Sequence, residues 1–334
     1  MAQKLNRALG DQERGTPLPP EQLTVEAFLT DWLASSAKGR LAESTYHGYE
    51  TIVKSHIVPT IGKVRLAKLT PAQLQRLYRD KLDAGLAPVT VVRIHKVLSS
   101  ALSEAERHGR VSRNVAKLVQ APRIESSKAL AFSVDQAKAF MEQVAGDRMY
   151  AAYMVALAAG LRRGELLALE WEDVDLVNSS LAVRHSLMKV AGGWRSSDPK
   201  TRGSRRVVKL PAFAVEALKA HRTAQLEERL ASPVWEDPNL VFTTSIGTLV
   251  DGRNFLRQFK AHAKAAGMPA TFTIHSLRHS AATLMLALGV QPKVVQEMLG
   301  HSRIAVTMDL YSHVLPHLQD EAAAKMGALL ASAN

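Results

Sequence analysis

Residues 160–175 read GLRRGELLALEWEDVD, and the first six of them set two arginines between two glycines at the predicted start of a helix. Backbone amides at a helix start and guanidinium groups both suit the oxygens of a phosphate. Taken alone, Arg162 and Arg163 fit the simpler interpretation of solvated arginines at a helix end. Segments further along the chain decide between these two interpretations.

Two segments further along the chain carry cationic side chains. Lys200 lies in DPKTR (residues 198–202), in a polar connection where a lysine can be aimed at a ligand or simply be solvated. His275 and Arg278 lie in IHSLRH (residues 274–279), three positions apart on one face of a predicted helix. They can present an imidazole and a fork of donors to one phosphate, although the apolar run behind them is more simply a core helix.

The last of these segments ends in a tyrosine. Gly300 closes the helix predicted over residues 292–299, and His301 follows it. Tyr311 comes ten residues after His301, within TMDLYSH (residues 307–313). Taken singly, Tyr311 fits the common role of a half-buried packing tyrosine.

Together these side chains form a set suited to phosphoryl transfer without a metal. Guanidinium groups stabilise the negative charge that builds up on the non-bridging oxygens in the transition state. A tyrosine hydroxyl can attack phosphorus and conserve the bond energy covalently, and a lysine or histidine can protonate the departing sugar oxygen. The 12 histidines include no HExxH motif, and the acidic residues form no cluster suited to two Mg²⁺ ions. The sequence therefore predicts neither a metal nor a cofactor.

The positive charge of the chain is concentrated in its first half. The net charge is +12 and the isoelectric point is about 9.9, which favours a polyanionic partner. Residues 37–128 contain 17 Lys and Arg against 7 Asp and Glu, a net charge of +10. This segment is predicted to grip a phosphate backbone. A merely solvated basic surface is the alternative.

Composition excludes several other classes of protein. The longest apolar stretch, Ala151–Leu161, is far shorter than the ~20 residues of a membrane-spanning helix. The N-terminus has no apolar signal segment, and the chain has no cysteine for disulfides, thiol catalysis or metal sites. These features fit a protein of the reducing cytoplasm without a membrane partner.

The apolar spacing predicts helices over most of the chain. Four helices are predicted after Leu23. The first carries the apolar face of Val25 to Leu33, and the second covers Glu43–His56. The third starts with Thr70 as the N-cap before Pro71, and the fourth covers Pro88–Arg107. Ser133 and Gln136 form a capping box that opens a second series. Its helices are predicted over 134–145, 149–159, 163–169, 212–229, 253–266, 276–288 and 292–299.

Two segments of the second half have strand character. Ser180–Leu187 and Arg205–Leu210 alternate like the two strands of a hairpin. The connection between them, Met188 to Ser204, is long, polar and glycine-containing. The expected fold class is thus α+β, mainly helical with a small antiparallel β-sheet.

From about Leu23 to Val314 the chain resembles the tyrosine recombinase (phage integrase) family, because all these segments occur in the family's order and approximate spacing. GLRRGELLALEWEDVD resembles the first arginine box, which implies that Arg162 is catalytic and that Glu165 buttresses it. DPKTRGSRRVVKLP resembles the hairpin that carries the catalytic lysine, here Lys200.

The remaining segments extend the resemblance. HSLRHSAAT resembles the family's HxxR box, with His275 and Arg278 as its catalytic residues. LGHS supplies His301, at a position where some relatives use tryptophan, and VTMDLYSHV places Tyr311 as the nucleophile.

The resemblance implies two domains that form a clamp around duplex DNA. Residues 1–22 would be a tail or connector, 23–120 a helical, SAM-like core-binding domain, 121–130 a linker, and 131–334 the catalytic domain. The C-terminal helix, at about Leu318–Leu330, would dock on a neighbouring protomer and help to build a tetramer. Packing of this helix on its own chain is the alternative.

The implied reaction is transesterification. Tyr311 attacks a scissile phosphate, which forms a 3′-phosphotyrosyl bond and frees a 5′-hydroxyl. The free 5′-hydroxyl of a partner strand then attacks this bond in the reverse reaction. Arg162, Arg278 and His301 would hold the non-bridging oxygens, with His275 as acid and base near the nucleophile and Lys200 as the acid for the leaving hydroxyl. Two rounds would pass through a Holliday junction.

The partners implied are double-stranded DNA with specific core sites, a homotetramer on that DNA, and accessory DNA-bending proteins. Two alternative functions stay open: a type IB topoisomerase, which has similar chemistry but no partner strand, and a DNA-binding regulator that has lost catalysis.

Phage integrases of this type often carry an extra domain for arm-type DNA sites, whereas about 22 residues precede the helices here. Residues 3–20 (QKLNRALGDQERGTPLPP) resemble the connector that would follow such a domain. Either the domain has been removed or this branch of the family lacks it.

Overall fold

The computed structural model of the protein describes residues 22–124, 131–190, 193–197, 205–236, 238–311 and 326. Lys200 and, apart from Met326, the predicted C-terminal helix lie outside these ranges. The chain divides into an N-terminal unit, Met1–Ser127 with Lys189–Gly193, and a C-terminal unit, Lys128–Met188 with Trp194–Asn334. No helix within the described ranges is long and apolar enough to cross a membrane.

Within residues 22–124, the regular elements of the N-terminal unit are helices. Its α-helices are α1 (Val25–Trp32), α2 (Glu43–Ile52), α3 (Val58–Ile61), α4 (Pro71–Asp83) and α5 (Pro88–Arg107). Short π-helical turns lie at Leu33–Ala37 and Val53–Ile57, and 3-10 turns at Leu66–Lys68 and Val115–Leu118. The core is built around Trp32, which is 2% exposed and stacks on Tyr49 with ring centroids 6.0 Å apart. Its indole Nε1 donates to the buried Glu104 carboxylate at 3.3 Å.

The N-terminal helices match the prediction at the start of α4 and differ from it at the end of α2. Thr70 caps α4, as the sequence predicts, and the structure adds a capping box with Gln73. The helix predicted over Glu43–His56, however, stops being α-helical at Ile52 and widens into a π-helical turn before α3. Pro59 accounts for the break, because it has no N–H to continue the α-helical hydrogen-bond ladder.

The C-terminal unit surrounds one helix that is buried on nearly all sides. That helix, α7 (Tyr150–Ala159), contacts α9 (Ala212–Ala231) and α11 (Ile274–Ala287). Phe255 stacks on Tyr153 with ring centroids 5.3 Å apart, which fixes one side of α7. The helices of this unit are α6 (Val134–Gln143), α7, α8 (Arg163–Leu167), α9 (Ala212–Ala231), α10 (Gly252–Ala265), α11 (Ile274–Ala287), α12 (Pro292–Leu299) and α13 (Ile304–Tyr311).

The sheet is small and antiparallel, as predicted, but the predicted hairpin is wrong in detail. Strands β1 (Val174–Asp175), β2 (Ser180–Val183) and β5 (Arg206–Lys209) form one sheet in the order β1-β2-β5. β3 (Ser186–Val190) and β4 (Gly193–Ser197) form a separate two-stranded sheet. β3 begins within the predicted strand Ser180–Leu187, and β4 lies in the predicted polar connection.

Local sequence explains the difference. The alternation of the predicted strand breaks at Arg184 and His185, where the chain leaves β2, and the Arg184 guanidinium pairs with the buried Asp173 carboxylate at 3.2 Å. β4 is polar, so it carries no apolar alternation to reveal it, and β1 spans only two residues.

Candidate active site

Two left-handed glycines bring the predicted segments together. Gly160 ends α7 at φ +60°, and Gly300 ends α12 at φ +65°. A side chain at position 160 would collide with that of Leu299, so the close approach of these two helix ends requires glycine. The chain after Gly160 enters α8 through Arg162, and the chain after Gly300 continues into His301.

Three guanidinium groups converge on the last turn of α12. Each donates to one of three successive carbonyl oxygens: Arg206 Nε to Met298 O at 2.6 Å, Arg278 Nη2 to Leu299 O at 2.6 Å, and Arg162 Nη2 to Gly300 O at 3.0 Å. The last carbonyls of a helix have no partner within the helix and carry partial negative charge, so they attract cations. The turn before His301 is therefore fixed by arginines from β5, α11 and the start of α8.

The carboxylate of Glu165 ties two of these arginines together. It is 3% exposed and accepts from Arg162 Nη1 at 2.6 Å, from the Arg162 backbone N–H at 3.0 Å and from Arg206 Nη2 at 2.8 Å. Burial opposes ionisation, but the hydrogen bonds and positive charges of Arg206 and Arg162 lower the pKa of Glu165 overall. The carboxylate is thus an ionised buttress for both guanidinium groups.

Arg278 is the most deeply buried cation of the group. Only 2% of it is exposed, and its second terminal nitrogen donates to Gly160 O at 2.6 Å. Burial, reinforced by the positive charge of Arg162, lowers the pKa of Arg278 to about 9, so the guanidinium stays charged at neutral pH. Two of its five N–H donors are used by backbone carbonyls of the described residues, and the others can serve a ligand.

His275 lies in the first turn of α11, beside a second imidazole. The ring of His279 stands edge to face with it, with centroids 4.4 Å apart. Desolvation by the surrounding atoms, then the charges of His279, Arg278 and Arg162, lowers the pKa of His275 to about 4, although part of the side chain still reaches solvent. The imidazole is therefore neutral at pH 7 and can accept a proton.

His301 links the end of α12 to α13. Its Nδ1 lies 2.9 Å from the hydroxyl of the buried Thr307, and its carbonyl accepts from the Gln296 side chain at 3.0 Å. Burial and the charges of Arg278 and Arg162 lower the pKa of His301 to about 4. A neutral imidazole with one fixed nitrogen presents its other nitrogen in a defined direction.

The structure brings together most of the residues that the sequence singles out. Arg162 and Arg278 hold the end of α12, and His301 directly follows it. Glu165 binds Arg162, and the charges of Arg278 and Arg162 act on His275. Tyr311 is the last residue of α13, four residues after Thr307. Its side chain, like the whole of Lys200, lies outside what the structure describes, and their predicted roles stay predictions.

Arg206 is a member of this cluster that sequence reasoning missed. A signal was present, because residues 206 and 208 share one face of β5 and Val208 is buried, as is Leu210 directly after the strand. A charged residue on the inward face of a strand needs a buried partner, which here is Glu165. Among the described residues, no group of three His, Asp or Glu side chains could hold a metal ion.

Family models match both halves of the chain. Residues 131–317 match the phage integrase family, and residues 24–82 match the phage integrase N-terminal SAM-like domain. An integrase of Streptomyces ambofaciens is 35% identical over 318 residues, which cover 92% of this chain and 81% of the relative. The tyrosine recombinase XerC-like protein of Caldanaerobacter subterraneus is 29% identical over 316 residues, covering 89% and 81%.

Solved structures share the fold. The Tn1549 transposon integrase in complex with transposon right end DNA superposes with a TM-score of 0.78 at 21% identity, covering 92% of this chain and all of that one. A lambda integrase tetramer bound to a Holliday junction gives a TM-score of 0.65 at 18% identity, covering 87% and 78%. Since the family model spans more than half of its residues, the chain belongs to the phage integrase family of tyrosine-type site-specific recombinases.

Proposed function

We propose that this chain cuts and rejoins DNA at specific sites by transesterification, with Tyr311 as the nucleophile. The observation that carries the proposal is the convergence of Arg162, Arg278 and His301 on the last turn of α12. Tyr311 follows this turn on the next helix. Two guanidinium groups and an imidazole beside a tyrosine-bearing helix are what a phosphodiester transition state needs.

The arginines would hold the scissile phosphate through its non-bridging oxygens. In the free protein, backbone carbonyls occupy some of their donors. A phosphodiester is the stronger acceptor for a guanidinium, because its two non-bridging oxygens share a full negative charge. The Arg162 side chain is 40% exposed, so a bound strand would reach it from solvent. The buried Arg278 would contact the phosphate from the protein side.

The histidines would serve different purposes. If the Thr307 hydroxyl donates to Nδ1 of His301, the Nε2 atom carries the ring proton and can donate to the phosphate. Neutral His275 would accept the proton of the Tyr311 hydroxyl. The negative charge of a bound phosphate would raise the pKa of His275 and favour this transfer.

Each step balances without an external reactant. The bond between the Tyr311 oxygen and phosphorus forms while the bond from phosphorus to the 5′ oxygen breaks, and that oxygen takes a proton from Lys200, the role implied by the family resemblance. A free 5′-hydroxyl of a partner strand reverses the step and releases the tyrosine. Two such exchanges would pass through a Holliday junction.

Duplex DNA is the proposed partner of the N-terminal unit. α2 and α5 flank a groove with hydroxyl, imidazole and cationic side chains, among them Thr45, His56, Arg93 and Lys96. The net charge of +10 over residues 37–128 supports phosphate contacts there. We also propose a homotetramer on DNA, with exchange of the C-terminal segment between protomers, assisted by DNA-bending proteins in the cytoplasm.

A covalent-trapping experiment tests the proposal. The binding site is first selected from a random duplex library, and a nicked suicide substrate carrying it is then incubated with the protein. We expect a protein–DNA adduct that survives denaturation, and none from Tyr311→Phe. An equal adduct from Tyr311→Phe would refute the nucleophile assignment.

The same reagents separate the alternative functions. Relaxation of any supercoiled plasmid, without the selected site, would indicate a type IB topoisomerase. Tight binding of the selected site without any adduct would indicate a DNA-binding regulator.

A further inference from the structure

We infer that Arg206 is a positioning residue of the recombinase site, an inference that rests on the proposed function. Its side chain is 6% exposed. From β5 it donates Nε to Met298 O at 2.6 Å and Nη2 to the Glu165 carboxylate at 2.8 Å. One planar group thus joins the end of α12 to the start of α8.

The two contacts of Arg206 set the position of groups that would touch DNA. Met298 O is the first of the three successive carbonyls held by arginines, two residues before Gly300 and three before His301. A shift of this turn would move His301. Because about 1 Å of displacement can cost a reaction about 100-fold, such a shift matters for the rate.

The contact with Glu165 controls Arg162. This carboxylate is shared between Arg206 and Arg162. Without Arg206, the buried charge of Glu165 would be left to Arg162, which would then be held away from the phosphate. Arg206 therefore keeps Arg162 available while Glu165 still orients it.

A purely structural ion pair is the competing explanation, and the chain offers a matched control for it. Arg148 also bridges a carboxylate and backbone carbonyls: it pairs with Glu228 at 2.6 Å and donates to the carbonyls of Thr243 and Thr244. Its partners do not overlap those of the candidate active site. Arg148→Met removes an ion pair and carbonyl contacts of the same kind from another part of the C-terminal unit.

The test compares single-turnover cleavage of the nicked suicide substrate at saturating DNA, below the melting temperature of every variant. We expect Arg206→Met to cleave about 100-fold more slowly with a Kd for DNA close to that of the wild type. Arg206→Lys should also be slow, because an ammonium group lacks the rigid fork that reaches both partners. Arg148→Met should lower Tm and leave the cleavage rate unchanged.

A double variant shows whether Arg206 acts through Glu165. If it does, Arg206→Met combined with Glu165→Gln should be no slower than the slower single variant. Multiplying losses would show that Arg206 positions the site through Met298 O instead. Wild-type cleavage by Arg206→Met would overturn the inference. Absence of an adduct from the wild-type protein would instead refute the proposed function, and this inference with it.

Discussion

Arg278 shows how much of the site is decided at single residues. It is fully buried, yet the two carbonyls that it holds, Gly160 O and Leu299 O, belong to two different helix ends. Such a cation has no water to solvate it, so its hydrogen bonds must come from fixed protein groups. The cost of burying the charge fits a residue kept for chemistry rather than for stability.

Arg278→Lys should therefore lose most of the cleavage activity while keeping the charge. A lysine cannot donate to both carbonyls and to a phosphate at once, and we expect a loss of about 100-fold or more in single-turnover cleavage. Arg222→Lys is the control, because that guanidinium lies over the Trp171 ring at 5.2 Å, apart from the site. Equal rates for wild type and Arg278→Lys would contradict the assignment.

The two neutral histidines should make the stability of the protein depend on pH. The pKa values of His275 and His301 fall from 6.5 to about 4 in the folded protein. The unfolded chain therefore binds more protons than the folded protein between these two pKa values. The contribution of the two histidines to the free energy of unfolding is thus complete above pH 6.5 and is lost as the pH falls toward 4. Thermal melts of the DNA-free protein between pH 7 and 4.5 should show this loss.

The histidine variants isolate the contribution of these two residues. His275→Gln with His301→Gln should flatten the decline of Tm with falling pH, because glutamine does not titrate. An unchanged decline in the double variant would show that other groups cause it.

At the scale of elements, the contact between the ends of α7 and α12 organises the site. Gly160 permits it, since it combines a left-handed backbone with direct packing against Leu299. Gly160→Ala should destabilise the protein by more than the ~1–2 kcal/mol that a left-handed backbone costs a residue with a side chain. Urea denaturation measures the change.

Gly146→Ala separates the two causes. Gly146 also has a positive φ, +85°, but a side chain there would meet nothing within 4 Å. It should show the backbone cost alone. Equal destabilisation by both substitutions would mean that the packing against Leu299 does not matter.

The sequence predicted elements where local chemistry determines them. Thr70 with Gln73 and Ser133 with Gln136 form complete capping boxes, so these helix starts were predictable to the residue. The π-helical turn before Pro59, the polar strand β4 and the helix α13 were not. Those elements depend on backbone constraint and tertiary packing, which a period of apolar residues does not record.

The same reason separates the predicted and missed site residues. Arg162, Glu165, Arg278 and His301 stand in short segments with a recognisable order along the chain. Arg206 gains its importance only when β5 lies beside Glu165 and the end of α12. Contacts between residues 41 positions apart follow from the fold and not from local pattern.

At the scale of the whole molecule, the excess charge lies in the N-terminal residues and the candidate active site in the C-terminal unit. If the groove between α2 and α5 contacts DNA phosphates, Arg93→Gln and Lys96→Gln should weaken binding to all sequences. Each should reduce the slope of log Kd against log salt by about one. Fluorescence anisotropy at several salt concentrations measures the slope.

Lys117→Gln is the control for this experiment, because its ammonium already pairs with Glu106 at 3.0 Å. It should leave the salt dependence unchanged. Wild-type slopes for Arg93→Gln and Lys96→Gln would place the DNA elsewhere on the molecule.

The most direct test of the proposed mechanism is to identify the residue that becomes covalently bound to DNA. After trapping on the suicide substrate in the presence of EDTA, the adduct is digested with nuclease and trypsin and analysed by mass spectrometry. We predict nucleotide on the tryptic peptide of residues 304–325, whose only tyrosine is Tyr311. Nucleotide on any other residue, or loss of the adduct in EDTA, would contradict the account.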